Sequence, residues 1–81
     1  MLAAAFGDEV VILDEGRARL LWLDPAAARI WRLCRGRCAG AVARDAGDTV
    51  ERVQETLEAL LEAALVARDG AGWVRAETEW V

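Results

Sequence analysis

Leu20-Leu21-Trp22-Leu23-Asp24-Pro25-Ala26-Ala27-Ala28-Arg29-Ile30-Trp31-Arg32-Leu33-Cys34 is the stretch whose reading decides the fold. Four residues with β preference stop at an Asp-Pro pair, and a helical apolar period begins at once. Asp24 can cap the free N–H groups of the first turn, and Pro25 suits the first helical position because a backbone N–H there would have no partner anyway. The stretch therefore predicts a strand joined to a helix without a linker. A strand so placed can lie at a sheet edge beside helices, which is a ready site for an added peptide strand.

Working upstream, Glu9-Val10-Val11-Ile12-Leu13 reads as a strand through its β-branched run, and residues 2–6 read as another. Asp14-Glu15-Gly16-Arg17 forms the turn into a strand at Ala18–Leu23, with Gly16 expected to supply the positive φ that a short connection needs. Three antiparallel strands thus precede any helix. Downstream, the first helix is expected from Pro25 to Cys34 or Arg35, with Ala27, Ile30, Trp31 and Cys34 along one stripe and Gly36 ending it. A short second helix covers Gly40 to Ala46 and is closed by Gly47. Asp48 or Thr49 caps a third helix running to about Ala64, where Val50, Val53, Leu57, Leu60, Leu61 and Ala64 recur at helical spacing. Leu65-Val66-Ala67-Arg68 and Gly72-Trp73-Val74-Arg75 flank Asp69-Gly70-Ala71, which predicts a hairpin or wing. The order describes an α+β, winged-helix-like architecture: a three-stranded antiparallel sheet, three helices and a possible C-terminal hairpin.

Composition narrows the function. The 81 residues are 56% apolar and 30% charged, which suits one small globular domain spanning residues 1–81. No apolar run approaches the length of a bilayer span, and Met1-Leu2-Ala3-Ala4-Ala5-Phe6 meets Asp8 and Glu9 too soon for a signal peptide, so a cytoplasmic protein without membrane contact is expected. The net charge is −4, from 14 acidic residues against 10 arginines, so long-range attraction for nucleic acid is lacking. Cys34 and Cys38, with no histidine in the chain, fall short of the four ligands of a structural zinc site. They read as two small reduced residues packed at a helix end, and no metal or cofactor is expected. Without histidine or tyrosine no nucleophile and general base can be paired in the usual way, and Asp14 and Glu15 lie in a turn with no reason to be buried. A non-enzymatic role follows.

A family resemblance rests on Leu23-Asp24, on Ala27 with Ile30-Trp31 and Leu33, on the alanine-rich second helix, and on Val53, Leu57, Leu60, Leu65 and Val66. In order and spacing these residues resemble the PqqD-like leader-peptide recognition domains, over roughly residues 9 to 67. Asp24 stands where that family usually has Asn, and Arg35-Gly36 replaces an Asp-Gly. The resemblance implies a non-catalytic domain that binds the leader of a ribosomally made precursor peptide and delivers the attached core to modifying enzymes. A chain of this length looks most like the leader-binding subunit of lasso-peptide maturation, whose partners are a leader peptidase and an ATP-dependent macrolactam synthetase. The alternatives are a PqqD-type chaperone for a radical-SAM enzyme and, from another class, a winged-helix DNA-binding regulator.

The binding mode can be argued from the residues alone. An extended leader adds antiparallel to the third strand, formed by Leu20, Leu21, Trp22 and Leu23, and drops alternate side chains between that strand and the third helix. Strand alternation puts Leu21 and Leu23 on one face and Leu20 and Trp22 on the other, and Leu21 and Leu23 are expected to point inward. Across the cleft the candidates are Val53, Thr56, Leu57 and Leu60, of which Val53 and Leu60 read equally well as core. Trp31 and Trp73 read as packing residues. Trp22 reads as a platform for a partner. Glu51, Arg52, Glu55, Glu58 and Glu62 form a mostly acidic outer face on the same helix, opposed to DNA recognition.

Overall fold

The computed structural model describes residues 1–81, and its elements follow in the order β1 (Leu2–Phe6), β2 (Glu9–Asp14), β3 (Arg19–Leu23), α1 (Pro25–Leu33), β4 (Arg35–Arg37), α2 (Ala39–Ala46), α3 (Val50–Glu62), β5 (Val66–Asp69), β6 (Gly72–Arg75) and β7 (Glu79–Trp80). Three helices and two sheets make an α+β fold. The first sheet has the order β3-β2-β1-β7, with β1, β2 and β3 antiparallel and β7 added parallel to β1. The second sheet, β4-β6-β5, contains the expected hairpin, with β5 and β6 paired from Val66↔Arg75 to Asp69↔Gly72. Gly72 sits where β6 passes β4 so closely that a Cβ would collide with the Gly36 carbonyl. No helix is long and apolar enough to cross a membrane.

The junction after β3 forms as its residues dictate. Asp24 is the N-cap of α1, its Oδ1 accepting the Ala27 N–H at 2.8 Å, and Pro25 occupies the first helical position. At α3 the cap is Thr49, whose hydroxyl accepts from the Arg52 N–H at 3.3 Å. Gly47 closes α2 in the left-handed region at φ 69°. There the Gly47 N–H donates to Arg44 and the Asp48 N–H to the Ala43 carbonyl, which satisfies the last carbonyls of the helix. The end of α3 uses the same pattern without a glycine: the Ala64 N–H reaches Leu61, the Leu65 N–H reaches Leu60, and Ala64 carries φ 62°.

Three expectations are corrected. The left-handed residue of the β2–β3 turn is Ala18, at φ 52°, not Gly16. Asp14 accepts the Arg17 N–H, Glu15 accepts the Ala18 N–H, and the chain leaves this turn through Ala18 to re-enter the ladder at Arg19. Helix α3 stops at Glu62 rather than near Ala64, and Val50 and Leu61, expected on its apolar stripe, are 49% and 40% exposed. Two further strands, β4 and β7, join the sheets beside the five foreseen.

The core lies between the inner face of the first sheet and the helices. Val10, Ile12 and Leu23 meet Ala28, Ile30 and Trp31 of α1, Val42 and Ala43 of α2, and Val53, Leu57 and Leu60 of α3, while Leu65, Val66 and Trp73 close it from below. Trp31 is fully buried, and its indole N–H donates to the Leu65 carbonyl at 3.0 Å, so its one polar group is satisfied.

Candidate functional site

Sheet order decides where a guest strand can go. The start of the β1 edge, at Leu2 and Ala3, is covered by β7, with the Glu79 N–H donating to Met1 and the Val81 N–H to Ala3, whereas β3 has a neighbour on one side only along its whole length. Phe6 and Glu9 close a two-residue turn that carries Gly7 at φ 63°, so they form a hydrogen-bonded pair. Alternation from that pair turns the backbone groups of Val10, Ile12 and Asp14 toward β3, and those of their partners Leu23, Leu21 and Arg19 back toward β2. The N–H and C=O groups of Leu20 and Trp22 therefore face out of the open edge.

Beside that edge runs a groove of about 410 Å³ between β3 and α3, lined by Leu21, Trp22, Leu23, Ala27, Glu55, Thr56, Ala59, Leu60, Ala63 and Leu65. Its floor depends on the way α3 ends. The pair of hydrogen bonds at Ala64 and Leu65 reverses the chain and packs Leu65 against the helix end, next to Leu60. The Leu65 carbonyl also accepts from the Trp31 indole and from the Ala76 N–H, which ties the floor to α1 and to the chain leaving β6. Thr56 donates its hydroxyl to the Arg52 carbonyl at 3.1 Å and so spends its polar group within the helix.

One end of the groove is fixed by Arg19. Its Nη2 donates to Asp14 Oδ2 at 3.2 Å and to the Ala63 carbonyl at 2.8 Å, which spans from the start of β3 to the end of α3. The cation also meets the negative end of the helix dipole there. Contrary to the expectation of an unburied turn residue, Asp14 ends β2 and is only 6% exposed. Burial works against its charge, but the Arg19 hydrogen bond, the Arg17 N–H and the charges of both arginines together outweigh it, and the carboxyl titrates below its ordinary value.

Of the residues chosen from sequence, the structure brings Leu21, Trp22, Leu23, Thr56 and Leu60 together around the groove. Leu21 and Leu23 turn inward and Leu20 and Trp22 outward, the last two being 72% and 70% exposed. Leu20 contributes its backbone to the open edge and not its side chain to the groove. Val53 and Leu57 are 0% exposed and belong to the core, out of reach of a peptide that leaves the core intact. The helix stripe facing the core and the stripe facing the groove are adjacent, and apolar spacing marks only the first. The groove stripe, Thr56, Ala59 and Ala63, is made of small residues and gave no apolar signal. Ala27, Glu55 and Leu65 were missed as well, since they reach the groove from other elements or from its rim.

The cysteines offer no chemistry at this site. Cys34 is buried after α1, its Sγ donating to the Ile30 carbonyl at 3.3 Å, and burial pushes its thiol up to about 11 against the smaller opposing pull of Arg75. Cys38, expected to pack beside it, is instead free and exposed at the N-cap of α2.

The family described as "Coenzyme PQQ synthesis protein D (PqqD)" matches this chain over residues 9–74, which takes in everything from β2 into β6. Neither a curated protein nor a solved structure matches it.

Proposed function

Because the chain belongs to the PqqD family, whose members are peptide-binding accessory proteins of ribosomal-peptide maturation, we propose that it captures the leader of a precursor peptide as an added strand on β3 and holds the attached core for the enzymes that modify it. The observation that carries this reading is the unpaired β3 edge lying beside an apolar groove. Main-chain bonds to Leu20 and Trp22 supply affinity for any extended segment, and the groove between Leu21, Thr56, Ala59 and Leu60 selects the side chains that enter it. Such a contact buries on the order of 1,000 Å², enough for useful affinity when the receptor is already shaped.

Among maturation systems, the lasso-peptide pathway is the first choice, with a leader peptidase and a macrolactam synthetase as partners. The second is a PqqD-type chaperone serving a radical-SAM enzyme. A neighbouring gene for an asparagine-synthetase-like enzyme and a peptidase would favour the first, and a radical-SAM gene the second. A DNA-binding role is disfavoured by α3, whose Glu51, Glu55, Glu58 and Glu62 would all meet phosphate.

The test is a titration with the leader encoded beside this gene, followed by amide shifts. Leu20 to Leu23 are expected to move most, and Ala59→Trp, which fills the groove from an exposed position, is expected to weaken binding by about tenfold or more without lowering the melting temperature. Binding to duplex DNA at low salt with no response to the leader would overturn the reading.

A further inference from the structure

Away from the groove, at the covered edge of the first sheet, three arginines surround one tryptophan. Arg32 at the end of α1, Arg35 in β4, Arg75 at the end of β6 and Trp80 in β7 form, with Ala5, a shallow concavity of about 430 Å³. None of these three guanidinium groups has a carboxylate within ion-pair distance: the ion pairs of the molecule are Arg19–Asp14, Arg37–Asp45 and Arg52–Asp48. Glu77 lines the adjoining hollow with Arg35 and Arg75 but pairs with neither. Three uncompensated cations gathered from three separate elements are unexpected in a chain of net charge −4. The helix dipole accounts for Arg32 in the last turn of α1, and it does not account for Arg75, which arrives from the other sheet.

Two of the three arginines are also held in place. The Arg75 guanidinium lies 5.2 Å from the centre of the Trp31 ring, and the Arg32 guanidinium 5.4 Å from that of Trp80. The two rings meet at 5.7 Å, tilted by 57°. Stacked guanidiniums keep their N–H edges free and lose less entropy when they bind a carboxylate. Trp80 remains 46% exposed among them.

We propose that this Arg32–Arg35–Arg75–Trp80 surface is a docking site for a short acidic segment of a partner protein, with carboxylates paired to the guanidiniums and an apolar side chain against Trp80. Charge complementarity identifies the occupant. Carboxylates match the planar donor forks, the open shape suits a segment of a macromolecule, and the negative charge of the rest of the chain works against a long polyanion. Because β7 and β3 are opposite edges of one sheet, this surface and the groove can be filled together. The proposal stands independently of what occupies the groove.

The test uses the full chain labelled with nitrogen-15 and an acetylated hexapeptide of Asp and Glu residues carrying one Leu. The indole N–H of Trp80 is expected to shift while that of Trp22 stays still, and the Arg32→Ala/Arg35→Ala double variant is expected to lose about tenfold or more in affinity. Because both replaced side chains are exposed, the core should be untouched; Arg35→Glu alone provides a second variant and should lose at least as much. No shift at Trp80, or unchanged affinity in the variants, overturns the proposal. So does displacement of the hexapeptide by tripolyphosphate or a single-stranded oligonucleotide at lower concentration than the hexapeptide itself requires, which would assign the surface to phosphate. Leader affinity measured in parallel on the double variant should be unchanged; a joint loss would mean that the two surfaces are one site, and would overturn the proposal as well.

Discussion

Arg19 reaches across the gap between sheet and helix with a single nitrogen, donating to both Asp14 and the Ala63 carbonyl. The pair is more than a surface ion pair because the carboxylate is nearly buried and also accepts the Arg17 N–H. Since the folded carboxyl titrates below its ordinary value of 3.8, the native state binds its proton less readily than the unfolded chain does. The stability it contributes is therefore complete above that value and is lost as the pH falls through the lower, folded one. Denaturant midpoints measured from about pH 6 down to about pH 2.5 should fall less steeply in Asp14→Asn than in the parent. The variant should begin from a lower plateau, because the amide is uncharged and has one acceptor oxygen, so it cannot take the Arg19 and Arg17 N–H groups on separate oxygens as the carboxylate does. A parallel acid limb in both proteins would remove Asp14 as the group responsible.

At the level of elements, legibility followed the chemistry of the punctuation. Asp24-Pro25, Thr49 and Gly47 announce helix ends through capping atoms or conformational freedom, and each acts where the sequence placed it. Helix α3 stops where no residue announces it, because Ala64 takes a left-handed conformation that glycine would normally hold, and the two closing hydrogen bonds compensate. The groove was half legible for the same reason: Leu21 and Leu23 follow from strand alternation, while Ala59, Ala63 and Leu65 owe their place to how α3 ends. Ala64→Gly should raise stability by about 0.5–1 kcal/mol, the relief of left-handed strain exceeding the added freedom of the unfolded chain. Thermal or urea unfolding measures it, and a loss of stability would mean that the Ala64 methyl makes packing contacts worth more than its strain. Strand β3 permits a sharper test of how a peptide is held. Leu20→Pro deletes an N–H that faces the open edge and leaves the bonds to β2 in place, so the sheet should survive. Leader affinity should fall by about tenfold, the equivalent of one main-chain hydrogen bond, and Leu20→Ala should leave it near the parent value. Equal affinity in the proline variant would mean that the groove works without strand addition.

The whole molecule divides its surfaces by chemistry. The register of the first sheet aligns Leu2, Leu13 and Leu20 in one row and Ala4, Val11 and Trp22 in the next, all on the face turned away from the helices. No charged residue interrupts either row across these three strands, and Leu20 and Trp22, at the open edge, are the most exposed of the six. A bare apolar sheet face of this kind marks a contact with another macromolecule more often than a tolerated flaw. Its position gives the contact a purpose, because a partner seated on it would lie beside any peptide strand added to β3, while the inward groove holds that strand from the other side. On the proposed reading, capture and delivery would use different side chains of a single strand: Leu21 and Leu23, which turn inward, for the leader, and Leu20 and Trp22, which turn outward, for the enzyme that receives it. Trp22→Ala should accordingly leave leader affinity within about twofold of the parent while weakening the assembly with the modifying enzyme by tenfold or more, since a large aromatic at the centre of a contact carries much of its energy. The two quantities can be read separately, by fluorescence anisotropy of a labelled leader and by sedimentation of the protein with the enzyme. A large loss of leader binding in Trp22→Ala would mean that the indole, which borders the groove, also holds the leader, and would end the division of labour argued here.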